Sequence, residues 1–146
     1  MEVYTIGFTK KPAEEFFGLL KAAGVKRLVD VRLNNVSQLA GFAKRHDLEF
    51  FLKELCGIEY VHEKELGNPA ANRDSFRDGD GQAGRRHMRK LLSNGSGPAL
   101  DRLVERAMRE RIAVLCVERE QDRCHREVII EMALEKNSAI EVIQIL

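Results

Sequence analysis

A chain of 146 residues gives one domain enough material for a core and leaves no room for a second, and 44% hydrophobic against 32% charged residues argues against general disorder. A net charge of +1 excludes a global pull towards nucleic acid phosphates or anionic membranes, so any such partner must meet a local basic patch. No basic-then-apolar leader opens the chain, no run reaches the ~18 apolar residues of a membrane span, and the three cysteines are an odd, sparse set; the expectation is a cytoplasmic protein with reduced thiols and no membrane partner.

Residues 2–7 (EVYTIG) are rich in β-formers and end at a glycine, which predicts a first strand. From Pro12, the residues Phe16, Phe17, Leu19, Leu20 and Ala23 recur at helical spacing and stop at Gly24. Arg27 to Val31 (RLVDV) follows at a distance that suits a right-handed βαβ crossover, hence a parallel pair. Ser37 can cap a helix through about Lys44, and Asp47 can open another that carries Leu48, Phe51, Leu52 and Leu55 and stops at Gly57. Ile58 to His62 (IEYVH) alternates as a half-buried strand does. Residues 66–98, with DGDG and SNGSG clusters, predict a long loop broken by a helix near Arg85 to Leu92. Leu100, Leu103, Val104 and Ala107 then mark one helical face, and Ile112 to Val117 (IAVLCV) is the best candidate for a central strand covered on both sides. A last helical stripe runs through His125, Val128, Ile129, Met132 and Ala133 before a final strand, Ile140 to Ile145. This order predicts a single α/β domain over residues 1–146, doubly wound, with a mostly parallel sheet of about five strands flanked by helices.

In such sheets ligands bind beyond the carboxyl ends of the strands, where Gly7 to Thr9, Asp30 to Arg32 and Cys116 to Arg126 are expected to converge. The segment CVEREQDRCHR packs two thiols, an imidazole, several carboxylates and three arginines into one strand-to-helix turn. With Asp122 as the helix N-cap, Cys124 and His125 fall at the second and third helical positions, where unpaired amides and the helix dipole favour a thiolate. Against this stands the plain alternative of a buried structural cysteine. His125 equally suits a core histidine bonded to a backbone carbonyl, and Arg126 either an anion clamp or a surface partner of Glu127 or Glu131. Cys116 reads as core, with Glu118 at the strand end on the same sheet face. Asp30 and Arg32 bracket Val31 and point to one side, as substrate ligands or as a local ion pair. Adjacent Cys-His cannot easily share one ion from a helix and no C-x-x-C pair occurs, so neither a metal nor a cofactor is expected. A phosphatase-type loop fails too, because the position it needs as arginine, counted from Cys116, is Asp122. The basic stretch Arg85 to Lys90 lacks interleaved aromatics and reads as a solvated helix face.

The run YTIG (Tyr4 to Gly7), DVR (Asp30 to Arg32), Ser37, Phe42, GIEYVH, Leu66-Gly67, C-x-E (Cys116 to Glu118) and CHR (Cys124 to Arg126) resembles the family called domain of unknown function 488, across essentially the whole chain. NNVSQLAGF resembles a subgroup of it. The chain departs from the family pattern in three places: Phe8-Thr9 stands where His-Ser is frequent, Asn35-Val36-Ser37-Gln38 where Pro-x-Ser-Arg is frequent, and Asn68 where a second glycine is common. The resemblance implies a fold and a site but no reaction.

Two functions follow from these residues. One is a thiol-dependent enzyme for a phosphate-bearing substrate, a nucleotide or nucleic acid component: Arg32 and Arg126, with Ser37 and Thr9, would hold the anion, Cys124 would be the nucleophile, and Asp30, Glu118 or His125 would move protons. The other is a non-catalytic module whose polar cluster binds an anion or a partner. The sequence is silent on oligomeric state.

Overall fold

The β-branched and aromatic side chains of EVYTIG alternate between two faces and form β1 (Glu2–Gly7). β2 (Arg27–Asp30), β3 (Glu59–His62), β4 (Ile112–Cys116) and β5 (Glu141–Ile145) complete a sheet of order β3-β2-β4-β1-β5 in which every pairing is parallel. These elements come from a computed structural model that describes residues 1–33, 35, 41–69, 72, 81–116 and 125–145. β4 sits mid-sheet and all five of its residues are buried, which is why IAVLC lacks the alternation of a one-sided strand.

Helices cover both faces. Val3, Val29, Val31 and Val114 share one core with α3 (Gly81–Ser93), α4 (Gly97–Arg109) and α5 (Arg126–Lys136). On the other face Ile6, Leu28, Ala113 and Leu115 share a second core with α1 (Ala13–Ala22) and α2 (Arg45–Phe51), where Phe16, Phe17 and Phe42 meet tilted and edge to face. The fold is therefore α/β with a doubly wound topology. The chain leaves β1 for α1 on one face and β2 on one side, but leaves β4 for α5 on the opposite face and β5 on the other side. From β2 the chain goes on through α2 to β3 on that first side, so the neighbours β2 and β4 have diverging exits and make a topological switch point between them.

Several boundaries differ from the sequence reading, each for a local reason. α2 begins at Arg45, whose amide bonds the Asn35 carbonyl at 2.8 Å, so Asp47 lies inside the first turn and does not cap. The helix then widens into a π turn (Leu52–Cys56) closed by Gly57 at φ 66, with Ile58 N–H returning to the Leu52 carbonyl at 3.0 Å. α3 extends beyond Arg85 to Leu92 at both ends, and α4 starts three residues early because Pro98 fits a first turn. The last helix starts at Arg126, so His125 precedes it rather than occupying its third position. Of the helix expected from Ser37 to about Lys44, the described residues form a 3₁₀ turn, Gly41–Ala43; Ser37 itself, like Glu118, Asp122 and Cys124, lies outside the described residues. Among the described residues no helix is long and apolar enough to cross a membrane.

Candidate functional site

β2 ends in a charge that the fold buries completely. Asp30 has no exposed surface, and Arg32, two residues on and therefore on the same side, grips it with Nε to Oδ1 at 2.8 Å and Nη2 to Oδ2 at 2.7 Å. The Arg32 amide adds a bond to Oδ1 at 3.1 Å, the Tyr60 hydroxyl donates to Oδ2 at 2.6 Å, and Asn35 Nδ2 approaches Oδ2 at 3.4 Å while also donating to the Tyr60 oxygen at 2.9 Å. Five donors thus converge on one carboxylate, as a buried anion requires. Burial, then the Asp30 charge and the bond to it, push the Tyr60 phenol well above its ordinary range, against weaker opposition from Asn35 and Arg32. The guanidinium lies over the Phe8 ring at 5.4 Å, just beyond β1. Its third nitrogen, Nη1, is buried and has no hydrogen-bond partner among the described residues.

A second cluster occupies the same edge on the opposite face. Cys116, the last residue of β4, shares a core with Val31 and stands in register with Gly7, while Val31 N–H bonds the Leu115 carbonyl at 3.1 Å. The sequence reading had Cys116 as core, and it is 6% exposed; what was missed is its neighbour, since Sγ lies 3.7 Å from His125 Nδ1. His125 Nε2 lies 3.0 Å from the Val31 carbonyl, the backbone bond weighed above for a core histidine. On the other side of the strand end, His62 Nε2 meets the Arg32 carbonyl at 2.6 Å. Two consecutive carbonyls are therefore each held by an imidazole from a different element.

Of the residues named from sequence, Asp30 and Arg32 come together, and His125 reaches their strand through Val31. Arg126 has no exposed surface, which removes its reading as a surface charge; Glu127 and Glu131 are taken instead by Arg85 and Arg89 of α3. Thr9 is half-buried in the turn after β1. Tyr60, Asn35, Phe8 and His62 were not assigned to the site from sequence. Tyr60 and His62 were findable in principle, because IEYVH puts two polar rings on one strand face, but only the pairing of β2 with β3 aligns His62 with Asp30. Beyond the site, the Leu66-Gly67 pair has a packing reason: a Cβ on Gly67 would lie 2.9 Å from Leu33 Cα, against the strand end that carries Arg32. An apolar groove of about 320 Å³ between α1 and the π turn, floored by Phe17, Phe51 and Cys56, shares none of the site residues. Among the described residues no three histidine, cysteine or acidic side chains cluster as metal ligands would.

A family model, the domain of unknown function DUF488, matches residues 12–133. The chain belongs to this family. No curated protein and no solved structure matches it. The departures from the DUF488 pattern noted in the sequence fall on structural contacts: Phe8 lies beneath Arg32, Asn35 bonds Tyr60, and Asn68 accepts from Asn72 Nδ2 at 2.6 Å.

Proposed function

We propose that this DUF488 protein binds a phosphate-bearing ligand, a nucleotide or nucleic acid component, at the carboxyl edge of its sheet, and acts on it as a thiol-dependent enzyme of the cytoplasm. The observation that carries the reading is Arg32 Nη1. A guanidinium with two nitrogens fixed on Asp30 and its face on Phe8 cannot swing to solvent, so the remaining N–H donors point where a ligand oxygen would satisfy them. Leaving such donors buried and unmet costs about 1–3 kcal/mol, which a bound oxyanion would recover. In this reading Asp30 orients Arg32, and Arg126, buried at the start of α5, adds positive charge at the same edge.

The non-catalytic module remains the second reading, and one observation favours it: the Asp30 oxygens already accept five donors, so that carboxylate is poorly placed to take a substrate proton. Inorganic phosphate and a nucleoside monophosphate, each compared with chloride at matched ionic strength, test the shared element of both. Binding should raise the melting temperature steadily with the logarithm of ligand concentration, the added stability reaching roughly 2.7 kcal/mol at a hundredfold excess over Kd, and Arg32→Lys, which keeps the charge but loses the fork, should abolish the rise. An equal rise in the variant, or none in the native chain, would remove the anion site.

A further inference from the structure

Cys116 ends the central strand at the switch point, opposite a residue that has no side chain, Gly7. The tautomer of its imidazole neighbour, in the neutral ring, follows from geometry. A carbonyl oxygen only accepts, so the Val31 contact at 3.0 Å requires a proton on His125 Nε2. In the neutral ring Nδ1 then carries the accepting lone pair, and that is the nitrogen 3.7 Å from Cys116 Sγ. The thiol donates to a base that a backbone carbonyl holds in the accepting tautomer.

We propose that Cys116 is the reactive thiol of this fold and His125 its general base, serving substrates with a soft electrophilic carbon. The inference rests on the thiol-dependent reading and deepens it by assigning its nucleophile, a role expected from sequence for Cys124. In the step, the Sγ proton moves to Nδ1 and the sulfur pair forms a bond to the electrophilic carbon. The bond from that carbon to its leaving group breaks with its electron pair. An oxygen or nitrogen leaving group then takes the proton back from Nδ1. The imidazolium formed in between is satisfied at both ends, by the Val31 carbonyl and by sulfur.

The chain supplies its own control. Cys56 is more exposed than Cys116, but its thiol donates to the Phe17 carbonyl at 3.7 Å, and burial raises its pKa against a weaker pull from Lys21. Access alone would make Cys56 the faster thiol; a paired base reverses the order. Limiting iodoacetamide on the native full-length chain near neutral pH, followed by peptide mapping, separates the two. Cys116 should be alkylated at least about tenfold faster than Cys56. His125→Gln should reverse that order in protein that still melts cooperatively. Faster alkylation of Cys56 in the native chain overturns the proposal, whether or not His125→Gln folds. Because the probe is uncharged, that result would leave the phosphate experiment standing, and a negative phosphate result would leave this one standing.

Discussion

The phenol of Tyr60 donates to Asp30 and accepts from Asn35, so its proton is held by a carboxylate that Arg32 keeps in place. A folded pKa raised above the ordinary value of 10 means that the stabilising contribution is present below that pH and is lost as pH rises through the folded value. The protein has two tyrosines, and the phenolate absorbance of the native chain should show one of them ionising far into the alkaline range. Tyr60→Phe should delete that late step, leave the Tyr4 step, and cost about 1–2 kcal/mol in urea denaturation, since Asp30 and Asn35 each lose a partner. An unchanged alkaline titration in Tyr60→Phe would detach the phenol from Asp30. At this scale the sequence was partly readable. Asp30 and Arg32 announce themselves by their spacing, whereas Tyr60 joins them only through strand pairing and is silent in a linear reading.

Between elements, the most telling contact ties the end of β3 to α4. Glu63 is buried and bonds Arg102 Nη2 at 2.9 Å and Arg106 Nη1 at 2.6 Å, residues four apart on one helical face. Burial raises the Glu63 pKa, but the two arginines outweigh it and hold the carboxyl below its usual range. A depressed folded value gives stability that is present above the unfolded pKa of about 4.3 and disappears as pH falls through the folded value. Glu63→Gln should therefore lower stability by roughly 2 kcal/mol at pH 7 and by much less in acid, measured as a shift of the urea midpoint. A deficit that stays constant down to acid pH would mean that the carboxylate charge is not what holds the two elements. The elements themselves were legible because their periods are strong: all five strands and the helices of the two halves follow from alternation, apolar runs and glycine stops. Their starts were less so. Arg45 and Arg126 begin helices because of bonds to distant backbone or because a preceding side chain is engaged elsewhere, and neither cause is local in sequence.

For the molecule as a whole, apolar patterning decided the topology, and topology predicted the edge where the polar residues gather. It did not predict that alternation along β2 would divide them between faces, with Arg32 against Phe8 on one and His125 under Val31 on the other. The imidazoles of His62 and His125 grasp adjoining peptides of one short segment from opposite directions. Loading the guanidinium with phosphate would strain or relax the same stretch of backbone that fixes the ring serving sulfur, so occupancy on one side and thiol acidity on the other should be thermodynamically reciprocal. Phosphate would then shift the pH midpoint for alkylation of Cys116, and phosphate affinity measured by calorimetry across that midpoint would change by the matching factor. On that reading the two sides of the sheet edge would be coupled through a single residue, Val31, whose carbonyl holds His125.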